Sequence, residues 1–336
     1  MAQPYEPKTL PLECIDWPAH VSLIGKANAA LGRYDGMLQS IVNPALLLSP
    51  LTSQEAVLSS RIEGTQASME EVLEYEADPS EPIEPAKRAD IQEILNYRRA
   101  MGQAVESLKG RPLCLNLVKE LHATLLDSVR GRNKAPGEFR RVQNFIGPAG
   151  CTAETASFVP PSADRLGEAM GNWEKYLHFE ERDRLVQLAV AKAQFELIHP
   201  FLDGNGRIGR MLVPLFLFEK GILSSPMFYV SAYFEEHREV YYARLQGVSR
   251  ENDWNGWIQF FLTAIADQAQ VNTEKTGAVL ALYELMKAEV PKAIRSQYVI
   301  QAIDALFDRP IFTSTDFIAR SGIPKDSGLR ILKTLR

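Results

Sequence analysis

His199-Pro200-Phe201-Leu202-Asp203-Gly204-Asn205-Gly206-Arg207-Ile208-Gly209-Arg210 packs a base, a carboxylate, an amide, two arginines and three glycines into twelve residues. Gly204, Gly206 and Gly209 match the dinucleotide fingerprint G-x-G-x-x-G, but the context rejects it. That fingerprint follows a strand and is answered by an acidic residue about 20 positions on. Here the preceding Arg184 to Ile198 is Ala-, Leu- and Gln-rich at helical length, and no Asp or Glu lies between Pro226 and Ser231. No G-x-x-x-x-G-K-[ST] occurs either. What remains is a helix, a tight glycine turn and a second helix beginning near Gly206.

The amides at such a helix start form an anion site, and glycines let phosphate oxygens come close to the main chain. Arg207 and Arg210, three apart, can share one face and offer forked donors. Asp203 is a hard oxygen ligand of the kind Mg²⁺ accepts beside substrate phosphates. His199, with an ordinary pKa near 6.5, is largely neutral at pH 7 and able to take a proton. A lone histidine is more often structural, and His20, His122, His178 and His237 are read that way. The chemistry implied is phosphoryl or nucleotidyl transfer to a hydroxyl.

Outward from this stretch the periodicity is helical. Helices are expected at Ala89 to Leu108, Leu115 to Val129, Ala163 to Tyr176, Arg184 to Ile198, Gly209 to Lys220, Glu236 to Gly247 and Trp254 to about Gln270. Pro214 reads as a tolerated kink. Upstream, Thr52-Ser53-Gln54-Glu55 reads as a capping box. It opens a helix that runs through Val57, Leu58 and Ile62 and stops at Gly64. Seven carboxylates from Glu70 to Glu84, interrupted by Pro79 and Pro82, read as a solvated linker. Pro136 to Arg140 leads into turn residues and short β-formers through Pro161, a hairpin or loop between helices.

Beyond Pro291 the pattern changes. A helix over Ser296 to Phe307 is followed by a short strand at Ile311-Phe312-Thr313. Thr315 is expected to cap Asp316 to Arg320, Gly322 to turn the chain, and Ser327 to Leu335 to form a last helix. The final two helices resemble a helix-turn-helix. The sequence stops directly after them, so either the module is minimal or the chain is a piece of a longer one.

Composition bounds the rest. At 336 residues the chain is about two domains' worth and needs no staple to fold. Three scattered cysteines argue against a disulfide framework or a Cys-type zinc site and suit a reducing, cytoplasmic setting. The longest apolar run, Met211 to Phe218, falls far short of the roughly 20 residues of a membrane span. Pro4, Glu6, Pro7 and Glu13 exclude a signal peptide's apolar core. With 37 basic and 42 acidic residues the net charge is −5, so any nucleic-acid role must be local.

The motif matches the Fic family signature H-x-F-x-[DE]-G-N-G-R-x-x-R at every specified position. The resemblance extends upstream to Pro136-Gly137-Glu138-Phe139-Arg140 and downstream to Ser231-Ala232-Tyr233 and Tyr241-Tyr242, covering most of Pro11 to about Gln270. It implies a mostly α protein: a Fic-type helical bundle with a small β-hairpin flap, plus a carboxy-terminal winged-helix or helix-turn-helix module. The division expected is an N-terminal helical region over 1–110, a catalytic core over 111–270, a linker helix over 271–290 and the module over 291–336.

The activity implied is transfer of AMP from ATP to a Tyr, Ser or Thr hydroxyl of a protein, including itself. By match of position, His199 deprotonates the target hydroxyl and Asp203 holds Mg²⁺ between phosphates. Gly204, Asn205 and Gly206 cradle phosphate oxygens, and Arg207 and Arg210 neutralise the leaving pyrophosphate. Tyr233, Tyr241 and Tyr242 are candidates for walling the adenine pocket, although aromatics at helical spacing also make ordinary core. The hairpin over 146–161 occupies the place of the family's flap, an edge on which an extended target segment can pair.

Fic proteins of one class carry an inhibitory S/T-x-x-x-E-G/N helix upstream of the domain. Ser59-Ser60-Arg61-Ile62-Glu63-Gly64 matches it, on the helix expected over about 52–64. Ser59 and Glu63, four apart, face the same side, and the resemblance implies that Glu63 pairs with Arg210. Relatives with this architecture can transfer other phosphate-containing groups or remove AMP. A different class of reading, a DNA-binding regulator, rests on the last module. Five basic and two acidic residues lie between Ile311 and Arg336, with Arg330, Lys333 and Arg336 three apart. Protein docking or dimer formation suits that module equally, and the sequence leaves self-association open.

Overall fold

The structure, a computed structural model, describes residues 3–128, 131–148, 150–152 and 154–335. Helices in chain order are α1 (Trp17–Ser40), α2 (Pro44–Leu47), α3 (Ser49–Ile62), α4 (Met69–Ala77), α5 (Pro85–Leu108), α6 (Leu115–Leu125), α7 (Leu166–Leu177) and α8 (Arg184–Ile198). They continue as α9 (Asn205–Glu219), α10 (Ser231–Glu236), α11 (Arg238–Glu251), α12 (Trp254–Ala293), α13 (Val299–Asp308), α14 (Ser314–Ser321) and α15 (Lys325–Leu335).

The centre is α8. Asp183 caps it, its Oδ1 accepting from the amides of Leu185 and Val186 at 2.9 and 3.0 Å. Nearly every α8 side chain is buried, which marks a helix surrounded by others rather than an amphipathic surface one. It packs on α7, α9, α11 and α12. Pro214 lies inside α9, buried, and the helix runs through it to Glu219. Along the outside, α1 lies against α12, whose 40 residues make about 60 Å of continuous helix. The three cysteines are unpaired, so no disulfide ties the bundle together.

Four expectations need correction. First, α3 starts three residues earlier than Thr52, because Pro50 near its start suits a first turn. Thr52 Oγ1 instead donates back to the Leu48 carbonyl at 3.2 Å, and Glu55 is buried. A capping box does form, at Ser68 and Glu71, at the head of α4. The acidic stretch is therefore partly helical, and Glu76 is an anchor within it, pairing with Arg98 at 2.7 Å.

Second, the helix expected to end near Gln270 continues unbroken through 271–290 as α12. Third, no strand forms among the described residues. The flap region closes with a single antiparallel bridge, Ile146 to Phe158, and 149 and 153 lie outside the described residues. Ile311 to Thr313 is not a strand either; Thr313, rather than Thr315, caps α14 through the Asp316 amide at 3.1 Å. Fourth, α6 ends at Leu125, and Val129 lies outside the described residues.

The last three helices have their own core around Ile303, Phe317, Ile323 and Ile331. Tyr283 and Phe307, edge to face at 5.2 Å, join it to the main core. Arg309 ties it further, donating to the Glu76 carbonyl at 3.1 Å, and α13 rests on α2 and α3.

Candidate active site

The α8–α9 loop is built to place His199. Its backbone sits in the left-handed region, φ +50°, where the His199 amide bonds the Phe195 carbonyl at 3.0 Å. A non-glycine residue holds that conformation only when its surroundings insist on it. Buried Arg140 supplies the insistence: its guanidinium donates to the carbonyls of His199 at 2.9 Å and Val142 at 3.0 Å, and also to that of Pro161. Asn205 closes the loop from the other side, its side chain exchanging two 2.9 Å hydrogen bonds with the Phe201 backbone. The Asn205 side chain is thus committed to the loop, and what it can offer an anion is its main-chain amide. His122 stacks on Phe201 at 3.7 Å and bonds the Asp203 carbonyl at 3.0 Å, a structural role as expected.

The His199 imidazole sits with Nδ1 3.3 Å from the Glu196 carbonyl. That acceptor selects the Nδ1–H tautomer and leaves the Nε2 lone pair free to take a proton. Burial pushes its pKa down to about 4, so the ring is neutral at pH 7. Gly204, at φ +77°, turns the chain into α9, whose first amides have no acceptor within the helix. Asp203 stands beside them, half exposed, accepting from the Gly204 amide at 2.5 Å and from Arg207 at 3.4 Å.

The two arginines do not share a face. Arg207 points to α5 and pairs with Glu93 at 3.0 Å. Arg210, 1% exposed, turns to α3: its Nε donates to Ser59 Oγ and its Nη2 to the Ser59 carbonyl, both at 2.8 Å, and Nη2 also to Glu63 Oε1 at 2.6 Å. Burial alone would raise the Glu63 carboxyl, but the charge and hydrogen bond of Arg210 outweigh it and hold the group below its ordinary range. The Glu63 carboxylate lies where a Cβ on residue 206 would sit, so a larger residue there would make the Glu63 side chain shift. Gly64, at φ +102°, turns the chain immediately after this residue.

His199, Gly206, Arg210 and Glu63 line one cavity of about 380 Å³, whose lining does not include Asp203, Gly204, Asn205 or Arg207. Ile146 and Phe158 of the bridged loop also line it, and Tyr241, Tyr242, Leu245 and Gln246 add to its wall. Tyr233 is not part of the lining. It stacks on His237 at 4.1 Å and tilts against Phe260.

Sequence reasoning missed the group behind that wall. Lys192, fully buried, donates to Glu196 Oε1 at 2.6 Å and to Tyr241 Oη at 2.9 Å, with three aromatic rings around its ammonium. The Tyr241 hydroxyl reaches Glu196 Oε2 at 2.6 Å, and Glu196 faces the cavity. The signal available was Lys and Glu four apart in an otherwise Ala- and Leu-rich helix. Also missed was Glu55, which accepts from the amide and hydroxyl of Ser231 at 3.0 and 2.6 Å and fastens α3 to α10.

Two family models match: "Fic/DOC family N-terminal" over residues 21–106 and "Fic/DOC family" over 112–217. Among curated proteins, the chain is 30% identical over 212 residues to a protein adenylyltransferase Fic of Drosophila grimshawi, covering 56% of this chain and 40% of that protein. It is 31% identical over 209 residues to the corresponding protein of Drosophila yakuba, 60% of this chain and 36% of the relative. The chain thus spans about two fifths of the length of these relatives.

Among solved structures, a Fic family protein from Desulfovibrio desulfuricans superposes with a TM-score of 0.62 at 22% identity, covering 99% of this chain and 91% of that one. A Fic domain containing signaling protein from Bacteroides thetaiotaomicron gives 0.57 at 17% identity, covering 76% and 97%. At these identities the structures speak to the fold. Among the described residues, no helix is long and apolar enough to cross a membrane.

Proposed function

This chain belongs to the Fic/DOC family, and from that premise we propose that it is a protein adenylyltransferase, moving AMP from ATP to a Tyr, Ser or Thr hydroxyl and held in check by Glu63. The observation that carries this reading is the 2.6 Å pair of Glu63 and Arg210 in the cavity that also holds His199.

Nε2 of His199 takes the proton of the target hydroxyl as its oxygen bonds to the α-phosphorus of ATP. The bond from that phosphorus to the bridging oxygen breaks, and pyrophosphate leaves. The first amides of α9 face the phosphates, where fixed dipoles stabilise developing charge without reorganising. Asp203 is a single, half-exposed carboxylate at that helix start. It fits Mg²⁺, which takes one or two carboxylates together with substrate phosphates. No cage of three His, Cys, Asp or Glu exists among the described residues to bind a cation without substrate. Held by Asp203, such an ion would neutralise charge on the phosphates. Tyr241 and Tyr242 wall the adenine end, and an extended target segment lies along the 146–161 rim.

Glu63 occupies the guanidinium that would fix the γ-phosphate. ATP then binds with its α-phosphorus off line, and a 1 Å misplacement can reduce a rate by about 10²-fold. The test is mass spectrometry of protein incubated with ATP and the Glu63→Gly variant. Addition of AMP supports the reading; addition of phosphate alone, or removal of AMP from a pre-modified protein with no forward transfer, overturns it.

A further inference from the structure

The carboxy-terminal module is not used by this chemistry, and its last helix exposes three cations against one carboxylate. Phe317 of α14, Ile323 of the turn, and Gly328 and Ile331 of α15 face inward, and all four are buried. A Cβ on Gly328 would come to 3.1 Å from Ile318 Cγ1, so the two helices cross closely there. Gly322, at φ +66°, makes the turn between them. This is the spacing of a helix-turn-helix, whose second helix enters a groove.

Three of the module's acidic groups are engaged, and the fourth, Asp326, is exposed on α15. Asp316 bonds Arg309 and Arg320 at 3.1 and 2.8 Å, Asp308 bonds Arg320 at 2.9 Å, and Asp304 accepts from Tyr283 at 2.7 Å. The outward face of α15 carries Lys325, Arg330 and Lys333, all exposed and, among the described residues, in no ion pair. Asp326 and Leu329 share that face, and Arg336 lies outside the described residues. Since α15 packs against α13 and α14, its outer side is a free convex cylinder.

We infer that α15 docks in the major groove of duplex DNA, with Lys325, Arg330 and Lys333 on phosphates. A convex helix with three unpaired cations complements a groove about 12 Å wide lined by phosphates. An acidic protein would need a matching concavity. With a net charge of −5 the chain has no overall attraction for DNA, so the proposed binding rests on this local face.

The test is fluorescence anisotropy of a short labelled duplex of mixed sequence with the full chain, titrated at rising NaCl. Three phosphate contacts predict that log affinity falls against log salt with a slope of about −3. The K325A/R330A/K333A variant, with circular dichroism unchanged, is expected to bind at least about tenfold more weakly with a slope near zero. His199→Ala, which stops AMP transfer, is expected to bind as wild type, so the two readings fail separately. The inference is overturned by absence of binding at low salt or by a triple variant that binds undiminished. It is also overturned by a chain that sediments as a dimer and becomes monomeric with Leu329→Glu, which would assign the face to a second copy.

Discussion

Ser59 holds Arg210 by two hydrogen bonds of 2.8 Å, one from Nε to its hydroxyl and one from Nη2 to its carbonyl. Glu63, four residues on at the end of the same helix, adds the ion pair. Ser59 belongs to α3 and Glu63 caps its end, so the phosphate-binding arginine of the proposed mechanism is governed by how α3 is seated. That seating is distributed: Val57 and Ile62 are buried in the core, Glu55 bonds Ser231, and α13 leans on α3 from outside.

Glu63→Gly is expected to raise AMP transfer by about 10²-fold, measured with labelled ATP, because the arginine is released while the Ser59 contacts and the fold remain. Adding His199→Ala in that background is expected to remove the activity while the melting temperature stays that of the activated variant. Transfer unchanged after Glu63→Gly would end the autoinhibition reading.

Lys192 and Glu196 form a buried pair that is unforgiving of single changes. Lys192→Met leaves the Glu196 carboxylate with only the Tyr241 hydroxyl, and is expected to destabilise by about 3–5 kcal/mol. Lys192→Met with Glu196→Gln removes both charges and is expected to recover most of that loss. Urea midpoints of the two variants decide it; equal losses would mean that the pair is not coupled.

Glu55 has its pKa pushed up from 4.5 to about 7 by burial, the hydrogen bonds from Ser231 opposing only in part. The folded state therefore binds more protons than the unfolded one between these values, and stability falls as pH rises through that window. Glu55→Gln mimics the neutral acid, so it is expected to be neutral at pH 5 and stabilising at pH 8. A destabilisation at pH 8 in thermal melts would contradict this sign.

His122 has the opposite dependence. Its Nδ1 accepts from the Gly137 amide at 2.9 Å, which leaves no room for a proton there, and burial takes its pKa from 6.5 to about 4. The unfolded state binds more protons between those values, so stability is full above 6.5 and declines as pH falls towards 4, by up to about 3 kcal/mol. His122→Asn, which keeps an acceptor for Gly137, is expected to flatten that decline in chemical denaturation across the same range. A decline as steep as wild type would assign it elsewhere.

Local chemistry was legible wherever its cause was local. Arg184 to Ile198 was bounded correctly because Asp183 caps one end and a loop opens at the other. The reading failed where two local signals competed. Thr52 to Glu55 and Ser68 to Glu71 both spell a capping box, and Pro50 at the start of α3 turned the first into helix interior. The β-formers Ile311 to Thr313 had no partner strand, and an unpaired strand has nowhere to place its hydrogen bonds. At Gln270 no residue stops the helix, so α12 simply continues.

By itself the sequence determined a helical chain and a glycine turn at Gly204 into a second helix with His199 before it, because these depend on residues a few positions apart. Tertiary structure decided which partners the charges found. Arg207 turned to Glu93 and Arg210 to Ser59 and Glu63, 114, 151 and 147 positions away, while Glu55 met Ser231 at a separation of 176. The reason is desolvation. A buried charge must find a partner or become neutral, and which groups are buried together is settled only when the helices pack.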